Sequence, residues 1–169
     1  MSERRRRVLV AGATGVVGRP GASRLVAQSV AWLYAPGPLP HREHDPLLDA
    51  DPDGSPTLAG VRELERLVLT TAGLTGLVLR YGRFRGPGTG RSRTPPPAVH
   101  LQAAAWAAAL AAERGSGGVY NVADDGGPAD NRRARDELGW SPIIHDTSGE
   151  RDASGEHRAS GEHHDRRSA

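Results

Sequence analysis

The sequence predicts an α/β protein in which a parallel sheet of about four strands is flanked by helices. Four short apolar segments alternate with longer segments of helical character, and this order is typical of a parallel sheet. A glycine-rich turn directly follows the first apolar segment, as at the junction between a strand and a helix. The predicted strands are Val8–Ala11 and residues 26–34, 77–81 and 119–123.

The most regular predicted helix begins after Ser55 and Pro56. Serine is a common N-cap residue, proline is favoured at the first helical position, and apolar side chains then recur at helical spacing as far as Gly73. Two further helices are predicted over residues 103–113 and 128–138, each followed by glycine. Residues 35–56 and 82–97 are rich in proline and glycine and are predicted to be loops, and the second is long enough to favour a binding role.

The composition limits the size of the core and the chemistry available to the protein. The chain has 169 residues, of which 37% are hydrophobic and 4% aromatic, so one domain with a modest core is expected. The absence of cysteine excludes disulfides, cysteine-ligated metals and thiol catalysis. All 22 basic residues are arginine, so lysine Schiff bases and a P-loop lysine are excluded as well.

The glycines that follow the first predicted strand have the spacing of a dinucleotide-binding turn. Gly12 allows a tight turn, Gly15 allows the backbone to approach a pyrophosphate, and Gly18 allows close packing of helix on strand. The N-terminus of the following helix would attract the anion. Because Val8–Ala11 comes directly before these glycines, the pattern indicates a Rossmann-type fold.

This pattern resembles the NAD-dependent epimerase/dehydratase group of the extended short-chain dehydrogenase/reductase family. Residues 8–18 resemble the family's cofactor fingerprint, residues 26–34 its serine-bearing strand, and residues 79–88 the loop that passes the nicotinamide. Residues 99–104, 119–122 and 137–142 resemble later landmarks in the same order. Together these segments cover most of residues 7–142.

The resemblance implies that the chain binds NAD or NADP and transfers hydride to and from a sugar nucleotide or a similar secondary alcohol. It implies that Ser29 is a catalytic residue that orients the substrate. The cofactor-binding residues that it implies are Gly12, Thr14, Gly15, Val16, Val17 and Gly18 for the pyrophosphate, and Gly82, Arg83 and Phe84 near the nicotinamide.

The chain is too short for the complete sheet of this family. At about 30 residues for each βαβ unit, six strands need roughly 180 residues, whereas the predicted strands here all end before residue 124. The missing block falls near residues 20–23, and in the family it carries the adenine-ribose site. The residue that would hydrogen-bond the adenine ribose is expected near position 38, which lies in a Pro-Gly-Pro sequence. Because these residues have no side chain that could bind the ribose, we expect weak dinucleotide binding.

The catalytic tyrosine and lysine of the family are also replaced. In the family the lysine lowers the pKa of the tyrosine, which then shuttles a proton at the carbon that exchanges hydride. Alignment on Glu65 puts Thr57 at the tyrosine position and Val61 at the lysine position. Tyr81 and Arg85 have the same spacing of four residues, but a strand residue and a solvated loop residue explain them better.

Three classes of function therefore remain after the sequence is read. The first is an epimerase/dehydratase-like protein with impaired catalysis. The second is a non-catalytic nucleotide-binding regulator or a degenerate fragment. The third is an arginine-rich interaction protein, which is suggested only by residues 4–7 and the C-terminal segment. A formal charge of +2 without a broad basic stripe argues against nucleic acid as a partner. The oligomeric state is left open.

The chain is predicted to divide into a Rossmann-like domain over residues 1–144 and a polar tail over residues 145–169. The tail nearly repeats every six residues and has no large apolar side chain, so it is expected to be disordered. Its histidines lack a fold that would set a metal geometry, and no physiological metal site is expected. The longest apolar run is ten residues, too short to span a membrane, and we expect a cytoplasmic protein.

Overall fold

The computed structural model describes residues 8–11, 23–50 and 57–143. Within them the predicted α/β class is confirmed. The strands are β1 (Val8–Ala11), β2 (Arg24–Val30), β3 (Thr75–Tyr81), β4 (Arg83–Arg85), β5 (Ala98–His100) and β6 (Gly118–Val122), and the helices are α1 (Thr57–Thr70), α2 (Leu101–Arg114) and α3 (Arg132–Leu138). The predicted glycine turn at residues 12–18 and the predicted tail at residues 145–169 lie outside the described residues.

The main sheet has four parallel strands in the order β1-β2-β3-β6. In its register Ala11 pairs with Ala27, and Val30 pairs with Tyr81. β4 and β5 form a separate parallel pair that continues from the end of β3. All four main strands therefore end at one edge of the sheet, from which the loops at residues 31–50, 82–97 and 123–131 extend.

Helices cover both faces of the main sheet, because alternate side chains of each strand point to opposite faces. On one face α1 packs Val68 against Ala27 and Val78. On the other face α2 and α3 enclose the larger core, where the indole nitrogen of Trp140 donates to the Ala103 carbonyl at 2.8 Å. The largest side chains in that core are Val26, Leu77, Leu79, Tyr81, Val99, Leu110, Tyr120, Val122, Leu138 and Trp140.

Three predicted boundaries are wrong, each for a local reason. β2 ends at Val30 rather than at residue 34, because the chain turns after the Ala31 amide donates to the Tyr81 carbonyl at 2.9 Å. α3 begins at Arg132 rather than at residue 128, and the Asp130 carboxylate, just before the helix, accepts from the Arg132 amide at 3.0 Å. The predicted loop at residues 82–97 contains β4, a strand too short to show an alternating pattern.

None of the helices within residues 57–143 is long and apolar enough to cross a bilayer.

Candidate functional site

The candidate site lies at the edge where the parallel strands end. In open α/β sheets ligands bind outside this edge, because the connecting loops leave a crevice there. The residues that directly follow β2, β3 and β6 are Ala31, Gly82 and Ala123, and all three are buried. The chemistry of the site therefore depends on the side chains next to these positions and on the loops beyond them.

Ser29, the predicted catalytic residue, lies inside the protein on the α1 face of the sheet. Its side chain is 3% exposed, and its hydroxyl donates to Oε1 of Glu65 at 2.6 Å. The serine hydroxyl is therefore hydrogen-bonded to a buried carboxylate on α1. The role of Ser29 in orienting a substrate stays a prediction.

Glu65 connects Ser29 to Arg80 in a buried ion pair. Arg80 Nε donates to Oε1 of Glu65 at 2.9 Å, and Arg80 Nη2 donates to Oε2 at 2.6 Å, so the contact is bidentate. Both side chains are more than nine-tenths buried. Burial alone would lower the pKa of the Arg80 guanidinium, but its hydrogen bonds and charge interactions with Glu65 and Tyr34 together outweigh burial and raise that pKa above its usual range.

The same arginine holds Tyr34, which lies in the loop after β2. Arg80 Nη1 donates to the Tyr34 hydroxyl at 2.9 Å, and this hydroxyl donates to Oδ1 of Asn121 at 2.6 Å. Burial raises the pKa of Tyr34, although the guanidinium partly opposes the effect. The Tyr34 hydroxyl therefore links Arg80 on β3 to Asn121 on β6.

The loop after β2 is fixed to the sheet end by two further contacts. The backbone amide of Asn121 donates to Oε1 of Glu43 at 3.0 Å, and the backbone carbonyl of Glu43 accepts from Arg80 Nη1 at 3.1 Å. The His41 ring stacks on Tyr34 at a centroid distance of 4.9 Å. Sequence reasoning missed this buried network, because its members are separated by up to 87 residues along the chain.

The three residues predicted near the nicotinamide follow β3. A Cβ at Gly82 would lie 2.6 Å from the Ala98 carbonyl carbon, so glycine allows the two segments to approach closely. The Arg83 guanidinium lies over the Trp32 ring, with 4.8 Å from Cζ to the ring centroid, and donates to the Pro96 carbonyl at 3.1 Å. The Phe84 ring packs against Tyr81 with centroids 5.4 Å apart.

Thr57 and Val61, the residues predicted at the tyrosine and lysine positions of the family, both lie on α1. Thr57 is the first residue of α1 and is exposed, and Val61 is half-buried one turn later. Tyr81 is buried on the α2 face, where its hydroxyl donates to the Ala104 carbonyl at 3.1 Å, and burial raises its pKa. Arg85 pairs instead with Asp124 at 3.1 Å.

An apolar cleft of about 220 Å³ opens between β2 and α2. Phe84, Tyr81 and Leu101 form its end near the loops, and the small side chains of Ala104 and Ala108 form its α2 wall. Gln28 is the single amide that lines it and is exposed on β2. Sequence reasoning did not single out Gln28, since an amide in a strand carries no motif.

Within the described part of the chain no group of three or more histidine, aspartate or glutamate side chains is placed to hold a metal ion. The pyrophosphate-binding residues predicted from the sequence lie outside the described residues; they are Gly12, Thr14, Gly15, Val16, Val17 and Gly18.

Comparison with known proteins gives relatives in sequence and in structure. No protein-family model matches the chain. It is 41% identical over 128 residues to a 3-diazoavenalumate denitrifying reductase from a Streptomyces species, an alignment that covers 62% of this chain and 42% of that protein. The chain therefore spans less than half the length of this curated relative.

Solved structures match more of the chain at lower identity. WbmG of Bordetella bronchiseptica in complex with NAD has a TM-score of 0.59 at 18% identity, covering 73% of this chain and 55% of that one. MoeE5 in complex with UDP-glucuronic acid and NAD has 0.57 at 18%, covering 73% and 61%. A UDP-glucose 4-epimerase from Thermotoga maritima has 0.56 at 17%, covering 73% and 60%.

These identities are too low to assign an activity, but the structural agreement extends over almost three quarters of the chain. The described part of the chain therefore has the fold of the NAD-dependent epimerase/dehydratase enzymes, and the predicted resemblance is confirmed at the level of the fold.

Proposed function

We propose that this chain is an NAD(P)-binding, epimerase/dehydratase-like protein whose catalytic turnover is impaired. One observation carries the proposal: a parallel sheet with the fold of NAD-complexed enzymes has β1 at its edge, and in the sequence Gly12 and the predicted glycine turn directly follow β1. Backbone amides in such a turn bind a pyrophosphate. The relatives' own ligands are NAD, UDP-glucuronic acid and UDP-glucose.

Two groups of residues near the strand ends fit two different parts of a dinucleotide. Gly12, Gly15 and Gly18 would hold the pyrophosphate, and the cleft lined by Phe84 and Gln28 offers an apolar wall with one amide for a flat, polar ring. When bound, the nicotinamide supplies the hydride acceptor or donor. The residues that read the adenine ribose in this family have no counterpart in the sequence, which supports weak affinity.

Impaired turnover follows from the state of the proton-transfer groups. Thr57 and Val61 replace the tyrosine and lysine, Ser29 is already bonded to Glu65, and Tyr81 is buried against Ala104. A positioned acid or base contributes roughly 10²- to 10⁴-fold to a rate. We therefore expect hydride transfer to be slower than in the complete enzymes by at least this order.

A second candidate, a non-catalytic nucleotide-binding module, is favoured by the same buried contacts. The bond from Ser29 to Glu65 and the bidentate pair of Glu65 with Arg80 use the family's serine position for stability. Such a protein would bind the dinucleotide and release it unchanged.

Calorimetric titration of the full chain with NAD and with NADP tests the binding proposal. Gly15→Val should abolish the heat of binding, because a branched side chain blocks the approach of the pyrophosphate. Gly60→Val is a matched control on the exposed surface of α1, where a Cβ meets nothing within 4 Å, and it should bind as the parent does. Tight binding that survives Gly15→Val would contradict the proposal.

Reduced-nicotinamide absorbance tests whether the chain retains any turnover. UDP-sugars and simple secondary alcohols are supplied with the oxidised cofactor, and the expected result is no measurable turnover. Turnover that disappears in Tyr81→Phe would make Tyr81 the proton-transfer group and refute the impaired state.

A further inference from the structure

We infer that β1 is an interaction edge, at which the main sheet pairs with the main sheet of a second copy of this chain. The two β1 strands would lie antiparallel across a two-fold axis, so that two four-stranded sheets join into one continuous sheet. This inference concerns the edge of the sheet and does not depend on cofactor binding.

The main sheet has two outer strands, β1 and β6, and their outer edges differ. A strand at the edge of a sheet presents backbone N–H and C=O groups with which another strand can pair, unless something covers them. Within residues 8–11, 23–50 and 57–143, β1 pairs with β2 alone and β6 pairs with β3 alone. What lies along each outer edge therefore decides where a second sheet can join.

Arg133, on α3, lies along the outer edge of β6. Its Nη1 donates to the Val119 carbonyl at 2.8 Å, and its Nη2 donates to the Gly117 carbonyl at 3.2 Å. Glu137 accepts from Nε of the same arginine at 2.9 Å, and the guanidinium lies over the Tyr120 ring with 4.5 Å from Cζ to the centroid. The arginine is thus held in place on backbone acceptors that an added strand would need.

Glu43, in the loop after β2, occupies a backbone donor farther along the same edge. Its Oε1 accepts from the backbone amide of Asn121 at 3.0 Å. The loop is fixed across this edge by His41, whose carbonyl accepts from Asn121 Nδ2 at 3.2 Å and whose amide donates to the Pro128 carbonyl at 2.8 Å. A strand that joined β6 would have to displace both this loop and Arg133.

β1 has the sequence of an interior strand but lies at the outside of the described sheet. Its four residues, Val8–Ala11, are all apolar. Uninterrupted apolar segments are typical of strands inside parallel sheets. Natural edge strands instead carry charged residues or proline, which prevent pairing with other chains, and neither occurs within β1.

A second copy of the chain is the partner that this asymmetry selects. Pairing of β1 with β6 of another copy would give an open, head-to-tail chain and would need the edge that Arg133 and Glu43 occupy. Pairing of β1 with β1 uses the same residues in both copies and closes as a dimer. An antiparallel pair also keeps the arginines of residues 4–7 at opposite ends, whereas a parallel pair would bring eight like charges together.

Sedimentation velocity of the full chain measures the assembly directly. We expect a species with twice the mass of the chain at the upper end of a roughly hundredfold range of concentration, because a dimer is favoured by mass action. A monomer at every concentration, or a series of open-ended species, overturns the inference.

Single cysteines locate the contact, because the chain has no cysteine of its own. Val8→Cys, Leu9→Cys, Val10→Cys and Ala11→Cys are oxidised mildly, each alone and in mixtures of neighbouring variants. At least one sample should form an intermolecular disulfide, since directly opposed residues of antiparallel strands have Cβ atoms about 4.5 to 5.5 Å apart. Gly60→Cys on the exposed surface of α1, where a Cβ meets nothing within 4 Å, is the control and should not cross-link.

Cross-linking at none of the four β1 positions overturns the inference. So does cross-linking at Gly60→Cys alone, which would place the contact between copies on α1.

Two proline variants test the backbone of the edge. Neighbouring residues of a strand direct their N–H groups to opposite edges, so one of Leu9→Pro and Val10→Pro removes a donor to β2 and the other removes a donor at the outer edge. One variant should therefore be a folded monomer, and the other should unfold at a lower temperature than the parent. A dimer that persists in both variants overturns the inference, and if neither variant folds, the cysteine variants decide.

Discussion

Replacing Glu65 by glutamine tests whether the buried ion pair holds the α1 face to the sheet. The carboxylate accepts three hydrogen bonds, from Ser29 at 2.6 Å and from Arg80 at 2.9 and 2.6 Å. Glutamine keeps one oxygen, but its amide nitrogen then faces a guanidinium N–H, so a donor meets a donor. The Arg80 cation is left inside the protein without its counter-charge.

The cost follows from the burial of both groups. Arg80 is 5% exposed and Glu65 is 6% exposed, so water cannot replace the lost carboxylate. Breaking a buried pair by removing one partner costs about 3 to 5 kcal/mol. Since a domain of this size is stable by only about 5 to 15 kcal/mol, Glu65→Gln should remove at least about a fifth of the stability.

Urea unfolding followed by far-ultraviolet circular dichroism measures the effect. With a slope of about 2 kcal/mol per molar urea, the midpoint should fall by roughly 2 M. Glu63→Gln is the matched control on the same helix, because Glu63 makes an equally bidentate pair with Arg66 on the exposed surface. Its midpoint should stay within the error of the measurement, since exposed pairs contribute little. Equal shifts in the two variants would refute the role of the buried pair.

Three further predictions concern packing, acid stability and the C-terminal segment. Gly82→Ala should cost about 1 to 3 kcal/mol of unfolding free energy in the same urea experiment, because its Cβ would lie 2.6 Å from the Ala98 carbonyl carbon. Gly60→Ala on α1 should instead stabilise the protein by up to about 1 kcal/mol. A neutral effect of Gly82→Ala would contradict the close approach of Gly82 and Ala98. Hydrogen bonds from Arg132 hold the pKa of Asp130 below its usual range. The unfolded chain therefore binds a proton at Asp130 more readily than the folded chain does. The stability that Asp130 contributes is complete above about pH 4 and is lost as the pH falls further. Asp130→Asn should flatten the acid limb of the stability curve measured by thermal unfolding, and an unchanged limb would exclude this residue as its source. Truncation after residue 144 should leave the thermal midpoint unchanged, because no large apolar side chain follows that position, and a clear drop would show that the segment packs on the domain.

Periodicity and turn residues were enough to predict the class of the fold. Residues 77–81 are buried on both faces in β3 and, apart from Arg80, are apolar, as expected of a strand that is covered on both sides. The same holds for the helix after Pro56, whose apolar spacing predicted α1 to within a few residues. Such signals are local, since each depends on neighbours within one or two turns of the chain.

The pairing of polar groups was decided only by the tertiary structure. Ser29, Glu65 and Arg80 lie on three different elements, and their adjacency depends on the register of β2 with β3 and on how α1 packs over both. The sequence by itself determined which residues can form strands and helices, whereas the tertiary structure decided which polar side chains are used for stability and which remain available to a ligand. The physical reason is that hydrogen bonds and ion pairs act over a few ångströms in space, and distance along the chain does not predict distance in the fold.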